Sequence, residues 1–278
     1  MSEELERARK AAIMNRVMKY VVVYGIPILL LFVGMQEDTL TGMGLMFMAY
    51  LFLSMLWAII AKNTAYAKFI MLYKKELITN ALGCGELYEN MEFNYDCGMN
   101  PEVVSKTWFL SVNRFFSNCF LSGTYNGKSF FQADIRNVRG ERGGYNLEYD
   151  GTLISIPTNL PDITQTVIYH KDIDCSIYLH GDPYAVSNPE FAKMFKVQAV
   201  NKAQAALLLT DDFMNRLMAI QNRIPRKIAL TITNGRMYIL LPNKKSVLKP
   251  RLFGKYDESM RAAIIEELNN AKLFMDAF

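Results

Sequence analysis

Two long uncharged stretches near the amino terminus constrain this chain more than any other feature of its sequence. Residues 20–35 and residues 40–61 contain no charged side chain, and only the loop 36–39 separates them. A helix rises about 1.5 Å per residue, so about 20 apolar residues cross the roughly 30 Å of hydrocarbon in a bilayer. The second stretch is long enough, and the first is slightly short, but Lys19 can extend its ammonium towards the headgroups. The pattern predicts a two-helix transmembrane hairpin, with a buried hairpin in a soluble core as the alternative.

Basic side chains surround these two stretches, and their positions predict how the hairpin is oriented. Five Lys or Arg precede the first stretch and four follow the second, whereas the loop contains only the acidic Glu37 and Asp38. Positive charge is retained on the cytoplasmic side of a membrane. We therefore expect a protein of the cytoplasmic (inner) membrane with both termini in the cytoplasm. A cleavable signal peptide is disfavoured because a second span follows the first directly.

Outside the membrane-proximal region the chain carries no net charge. The whole chain has 31 Lys and Arg and 27 Asp and Glu. Residues 1–75 contain nine of the basic and five of the acidic residues, so residues 76–278 contain 22 basic and 22 acidic residues. A nucleic-acid-binding domain usually has a basic surplus, so we expect no nucleic-acid partner. The four cysteines, Cys84, Cys97, Cys119 and Cys175, are too few and too scattered for a disulfide framework. In the cytoplasm they should be reduced.

The remaining pattern divides the chain into four segments. We expect a cytoplasmic N-terminal helix over residues 1–19, the hairpin over 20–61 with spans at 20–35 and 40–61, a helical stalk over 62–82 and a cytoplasmic domain over 83–278. Apolar residues recur with helical spacing through the stalk, and Gly83 and Gly85 end it.

The C-terminal domain alternates strand-like runs with helical ones. Three pairs that favour tight turns, because their central positions need positive φ, separate strand-like runs: Asn126-Gly127, Asp150-Gly151 and Asn234-Gly235. Further short strands are expected at 166–169, 176–179 and 195–200. Helices are expected after the capping residues Asn201 and Thr210 and over 257–278. Because no βαβ repeat occurs, the sequence predicts an α+β fold with a mostly antiparallel sheet and flanking helices.

Five short motifs occur in order from about residue 70 onward. They are Tyr73-Lys74-Lys75-Glu76, Ser122-Gly123-Thr124-Tyr125-Asn126-Gly127, Asn188-Pro189-Glu190-Phe191, Ala206-Leu207-Leu208-Leu209-Thr210 and Gly235-Arg236-Met237-Tyr238-Ile239. In this order they resemble a bacterial family known as domain of unknown function 3137. The resemblance implies two membrane spans followed by one cytoplasmic domain. It implies no catalytic residue and no cofactor, because no activity is established for that family. It makes a LemA-type membrane protein a candidate partner, since such proteins accompany some members in gene neighbourhoods.

One polar stretch contains the candidate residues for a metal site. His170, Asp172 and Asp174 would share one face if residues 169–175 were extended, because side chains alternate along a strand. Imidazole and carboxylate groups can hold a divalent metal. The alternative is a polar strand edge or loop with solvated charges. Cys84 and Cys97 form no CxxC motif and make a weaker candidate for zinc. No nucleotide-binding or hydrolase motif is present in the sequence.

A basic cluster near the C-terminus is the second candidate. Lys244, Lys245, Lys249 and Arg251 lie in a predicted loop, where such a cluster is usually a solvated face. On a domain tethered beside an anionic leaflet, the same cluster could contact lipid.

The sequence therefore leaves three functional hypotheses. The first is a membrane-anchored, non-enzymatic module that binds a protein partner or acts as a scaffold at the cytoplasmic face. The second is a membrane-bound enzyme with an unrecognised metal site between His170 and Asp182. The third is a domain that contacts anionic lipid. The lack of a recognisable catalytic signature favours the first hypothesis.

Overall fold

The computed structural model describes residues 3–25, 50–52, 54–55, 64–76, 88–105, 107, 115–141, 144–162, 166–173, 181–242, 248, 250, 252–253 and 258–278. The chain divides into two compact units. The first comprises residues 1–79 and 250–257, and the second comprises residues 80–249 and 258–278.

Among its described residues, the first unit contains two helices in contact, α1 (Glu3–Tyr20) and α2 (Thr64–Glu76). A π-helical turn, Val21–Gly25, continues α1. Three small or apolar side chains of α1, at spacings of three and four residues, are buried: Leu5, Ala8 and Ala12. Phe69 and Tyr73 are buried on α2, one turn apart. On each helix the buried side chains are three or four residues apart and therefore form one stripe along the helix. α2 lies within the predicted stalk, and residues 77–82 lie outside the described residues.

The membrane prediction falls mostly on residues that the structure does not describe. Within the described ranges, no helix is both long and apolar enough to cross a bilayer. Of the predicted spans, only residues 20–25 of the first and 50–52, 54 and 55 of the second are described, and these residues are helical. The transmembrane hairpin therefore stays a prediction.

The second unit contains a nine-stranded sheet in the order β1-β2-β3-β4-β9-β8-β5-β7-β6, with antiparallel pairing throughout its described strands. The strands are β1 (Glu89–Asn94), β2 (Phe115–Tyr125), β3 (Lys128–Glu141), β4 (Gly144–Pro157), β5 (Thr166–His170), β6 (Asp182–Pro183), β7 (Phe195–Ala199), β8 (Ala229–Thr233) and β9 (Arg236–Pro242). The helices are α3 (Pro101–Ser105), α4 (Pro189–Met194), α5 (Lys202–Leu208), α6 (Asp211–Arg223) and α7 (Glu258–Ala277). The predicted α+β class with an antiparallel sheet and flanking helices is confirmed.

Both Asn-Gly pairs form the tight hairpin turns that the sequence predicts. Asn126 and Gly127 have φ values of 48° and 73°, and Asn234 and Gly235 have φ values of 52° and 65°. Positive φ at both central positions is the requirement of a type I′ turn. These turns connect β2 to β3 and β8 to β9.

The predicted turn at Asp150-Gly151 is wrong. Both residues lie inside β4, which runs unbroken from Gly144 to Pro157. Asp150 pairs with Arg136 and Gly151 with Ile135 on β3, and the Arg136 guanidinium donates to the Asp150 carboxylate at 2.8 Å. Neither residue has a positive φ in the described backbone. Pairing with β3 on one side and β9 on the other overrides the local preference for a turn.

The two faces of the sheet have different coverings. One face carries a buried cluster: Met99, Val104, Ala133, Ile135, Leu153, Val167, Tyr169, Ile173, Ala229, Tyr238 and Leu240. On the opposite face, Thr152 donates to Glu267 of α7 at 2.9 Å. Because side chains alternate along a strand, His170 lies on the α7 face, opposite to its neighbour Tyr169.

Candidate functional site

An open cleft of about 670 Å³ lies where β5 ends, in the second unit. Its lining comes from four parts of the chain: His170, Lys171 and Asp172 after β5; Glu190, Lys193 and Met194 of α4; Asn215, Met218, Ala219 and Asn222 of α6; and Lys227 before β8. The helices that form two of its walls are well capped. The side chain of Asn188 accepts from two backbone N–H groups at the start of α4, and Thr210 accepts from Phe213 N–H at the start of α6.

A turn directly after β5 sets the position of the cleft residues. The backbone N–H of His170 donates to Ile228 O at 2.8 Å, and that of Lys171 donates to Met194 O at 2.9 Å. The chain then turns, since Ile173 N–H donates back to His170 O at 3.0 Å. The metal hypothesis from the sequence required residues 169–175 to be extended. Residues 171–173 form a turn instead. Asp172 reaches His170 through the turn rather than through strand alternation.

His170 is the buried ionisable group of the cleft, with 5% of its surface exposed. Its ring meets the ring of Phe195 edge-on, with 5.7 Å between the centroids. Burial lowers the pKa of His170, and the nearby ammonium of Lys227 lowers it further, while the Asp172 carboxylate acts in the opposite direction. The protein therefore favours the neutral imidazole.

The contacts of the imidazole give the same conclusion. Asp172 N–H donates to Nδ1 at 3.2 Å, and Lys227 Nζ lies 3.3 Å from Nε2. Both ring nitrogens thus face donor groups. A neutral imidazole can accept at one of these nitrogens, whereas a protonated imidazole can accept at neither. The same ammonium lies 3.5 Å from the Asp172 carboxylate. Lys227 therefore bridges the imidazole and the carboxylate.

Gln221 of α6 holds the segment that carries Lys227. Its amide nitrogen donates to Arg226 O at 2.9 Å, and its amide oxygen accepts from Ile228 N–H at 3.0 Å. These two hydrogen bonds fix the backbone on either side of Lys227. The backbone position from which Lys227 extends towards His170 is therefore built into the fold.

The predicted metal ligands are only partly placed by the structure. His170 Nδ1 and Asp172 Oδ2 lie 3.7 Å apart, whereas Asp174 lies outside the described residues. Among the residues that the structure covers, no three His, Cys, Asp or Glu side chains are grouped closely enough to hold a metal. The ammonium of Lys227 also lies within 3.5 Å of both candidate ligands, where a metal cation would be repelled. The three-residue metal site stays a prediction.

The remaining sequence candidates are not brought together. Cys97 is exposed and its sulfur accepts from Asn94, while Cys84 lies outside the described ranges. The four residues of the basic cluster, Lys244, Lys245, Lys249 and Arg251, also lie outside those ranges, so lipid contact through them stays a prediction.

The cleft offers several charged and amide groups for polar contact with a ligand. Three ammonium groups face two carboxylates, and the amides of Asn215 and Asn222 can both donate and accept. Each carboxylate already pairs with one lysine, as Lys193 lies 2.6 Å from Glu190 and Lys227 lies 3.5 Å from Asp172. None of the described lining residues is a Ser, Thr or Cys that could act as a nucleophile.

Sequence reasoning missed the α6 side of the cleft and Lys227. Lys227 is 57 positions from His170, and no spacing rule connects the two. Asn215 and Asn222 are seven residues apart and so lie on one face of α6, which is a signal that the sequence does contain.

Comparisons with known proteins give one family and one solved structure. Residues 150–277 match the family model described as "Protein of unknown function (DUF3137)", and no curated protein matches the chain. A crystal structure of the mycobacterial trehalose monomycolate transport factor A, TtfA, is similar over 74% of this chain and 93% of that chain, with 12% sequence identity and a TM-score of 0.41. A likeness at this TM-score carries no argument about function. Three of the five motifs that predicted the family, those beginning at Asn188, Ala206 and Gly235, lie within the matched residues, and the predicted family is confirmed there.

Proposed function

We propose that this chain, which belongs through residues 150–277 to the DUF3137 family of proteins of unknown function, is a membrane-anchored, non-enzymatic binding module. The cleft at the end of β5 is its binding site. The observation that carries this proposal is the arrangement around Lys227, which pairs with Asp172 and, together with burial, disfavours the charged form of His170. A histidine between two donors is poorly placed to accept a proton from a substrate.

The charges of the cleft favour a partner with an acidic side chain. The carboxylates of Asp172 and Glu190 are already paired with Lys227 and Lys193. Lys171 has no acidic partner among the described residues of the cleft. An Asp or Glu from a protein segment would fill this place, while Met194 and Met218 offer apolar contact.

Anchoring would make a weak contact of this kind effective. The uncharged stretches at 20–35 and 40–61, with nine flanking basic residues, support a hairpin in the membrane. A partner in the same membrane meets the tethered cleft at a high effective concentration, so modest affinity is sufficient. A LemA-type membrane protein, which the family resemblance implies, is one candidate of this kind.

Photo-crosslinking of the full chain in cells tests the proposal. A photoreactive amino acid at position 218, inside the cleft, should form an adduct with another protein. Charge reversal by Lys171→Glu together with Lys227→Glu should reduce that adduct about fivefold or more, since each exposed ion pair contributes up to about 1 kcal/mol. Lys202→Glu, an exposed lysine at the start of α5, is the matched control and should change nothing.

The competing functions predict different results in the same cells. An adduct that is insensitive to the cleft charges would contradict a binding role for the cleft. Stoichiometric metal that survives purification and is lost in His170→Ala would favour the enzyme. Adducts with lipid from position 218 would favour a lipid-contacting domain.

A further inference from the structure

We propose that α1 contacts the surface of an anionic leaflet from Met14 onward, so that the membrane boundary lies about two turns before the uncharged stretch that begins at Tyr20. The inference deepens the proposed membrane anchor and rests on it. Three observations on the first unit carry it: a change of apolar face along α1, a change in how its charges are paired, and the length of the apolar segment.

The apolar stripe of α1 changes sides near residue 13. In the first three turns the buried side chains are Leu5, Ala8 and Ala12. In the turns that follow, apolar side chains are exposed instead, with 45–63% of their surface accessible: Met14, Val17, Met18, Val21 and Tyr24. At about 100° per residue, the centre of the first stripe and that of the α-helical part of the second, Met14, Val17 and Met18, lie roughly 180° apart around the helix axis. The second stripe therefore points away from the side that the first half buries.

Ion pairing changes at the same place. In the first half, Arg7 lies 2.9 Å from Glu3 and Arg9 lies 2.7 Å from Glu6. No Asp or Glu follows until residue 37. Arg16 and Lys19 therefore have no acidic partner within α1, and none of the described residues of the unit forms an ion pair with them. They lie on the side of the helix opposite to the exposed apolar stripe.

This pattern is the one that binds a helix to an anionic membrane surface. Apolar side chains enter the boundary between headgroups and acyl chains, while long basic side chains reach the phosphates. Tyr20 and Tyr24 stack with their ring centroids 6.0 Å apart, and tyrosine rings favour the headgroup level. The exposed stripe also leads without interruption into the uncharged residues 20–35.

The length of the span supports the same boundary. From Tyr20 to Met35 the chain has 16 residues, which is fewer than the roughly 20 that cross a bilayer. From Met14 to Met35 it has 22. An interface near Met14, with the cations of Arg16 and Lys19 extended back to the phosphates, therefore supplies the length that the uncharged stretch lacks.

Photo-crosslinking in lipid nanodiscs tests this inference on the full-length protein. A photoreactive amino acid replaces Met14, Val17 or Met18 in turn, and lipid adducts are detected by mass spectrometry. We expect lipid adducts at all three positions. Arg7 lies on the same side of the helix two turns earlier and is exposed, so a photoreactive group there is the matched control and should give no lipid adduct.

A photoreactive amino acid at position 30, in the middle of the first uncharged stretch, distinguishes a failure of the early boundary from a failure of the membrane anchor. Lipid adducts at position 30 without adducts at 14, 17 and 18 would overturn the early boundary and leave the anchor intact. An absence of lipid adducts at every position would overturn both. Adducts between two copies of the chain at positions 14–18 would mean that a dimer contact covers the stripe, and would overturn the inference.

The basic residues provide a second test. Replacing Arg16 and Lys19 by Glu should lower the lipid adduct at position 17 at least about twofold in nanodiscs that contain anionic lipid, and should have less effect in zwitterionic nanodiscs. Lys196→Glu with Lys202→Glu, two exposed lysines of the second unit, is the charge-matched control. Equal losses for both pairs of substitutions would contradict a specific role of the α1 residues.

Discussion

Arg226 and Lys227 are neighbours in the chain, but their cations lie in opposite surroundings. Arg226 donates to the Glu267 carboxylate at 2.6 Å, and only 17% and 5% of these two side chains are exposed. Lys227 lies 3.5 Å from the Asp172 carboxylate, and 43% and 57% of those side chains are exposed. One pair belongs to the packing between α7 and the sheet, and the other forms the wall of an open cleft.

The difference separates charges that hold the fold from charges that are available to a partner. Glu267 also accepts from Thr152 at 2.9 Å, so both carboxylate oxygens are hydrogen-bonded in a buried setting. Removal of one member would leave an uncompensated buried charge, which is costly. The exposed pair is screened by water and contributes little to stability, so its charges can be exchanged for those of a ligand. Burial, rather than the number of ion pairs, therefore distinguishes a structural network from a binding surface.

The strongest test of this comparison is the removal of the buried carboxylate. Glu267→Ala should lower the free energy of unfolding by about 3–5 kcal/mol, because the Arg226 guanidinium would stay buried without its partner. Glu266 is the next residue of α7 and is exposed, so Glu266→Ala is the matched control and should change stability by at most about 0.5 kcal/mol. Urea denaturation of both variants measures the difference. Equal effects would mean that Glu267 is not part of a buried network.

A second test addresses the strands that connect the two regions. β9 pairs with β4, which carries Thr152, and β8 pairs with β5, which ends at His170. Gly235, in the turn between β8 and β9, has a φ of 65°, and a Cβ added there would meet no atom within 4 Å. Gly235→Val should therefore cost about 1–3 kcal/mol through backbone strain alone. Gly235→Asn, which tolerates positive φ, should cost much less. If only the α7 region melted early in the Val variant, the two regions would not unfold as one unit.

The sequence predicted features that are encoded locally. The Asn126-Gly127 and Asn234-Gly235 turns were predictable because positive φ at adjacent positions favours these residues in any context. The caps at Asn201 and Thr210 were predictable because a side chain that accepts from the first free N–H groups defines a helix start.

Features that depend on distant pairing were not predictable in the same way. Asp150-Gly151 has the composition of a turn, but its neighbours on β3 and β9 keep it extended. The candidate site was half predicted: His170 and Asp172 were named from their spacing, whereas Lys227 reaches them only because β5 and β8 are adjacent. A single sequence contains no signal for that pairing.

A third prediction concerns the pH dependence that the exposed cleft should have. Because burial and then Lys227 lower the pKa of His170, the unfolded chain binds a proton at a higher pH than the folded one. Stability should be complete above the unfolded pKa of about 6.5 and should be lost as the pH falls from there towards the folded pKa. Urea denaturation between about pH 7.5 and 5.5 should show this loss, and His170→Gln should reduce it.

NMR titration of the His170 ring tests which groups lower its pKa. Lys227→Met should raise the His170 pKa towards its ordinary value without restoring it fully, since burial is the larger cause. Lys171→Met is the matched control with a smaller effect. A His170 that is protonated at neutral pH in the native protein would contradict the assignment of a neutral imidazole between two donors.

The smallest effect is expected from the most exposed pair of the cleft, Lys193 and Glu190. Their side chains lie 2.6 Å apart, yet each is 68% exposed, and such pairs contribute about 0–1 kcal/mol to stability. Lys193→Met should therefore change the free energy of unfolding by no more than about 0.5 kcal/mol. The same substitution removes one of three cleft ammonium groups and should reduce the photo-adduct formed from position 218. A large loss of stability with an unchanged adduct would reverse the assignment, because the cleft charges would then hold the fold in the manner of Arg226 and Glu267.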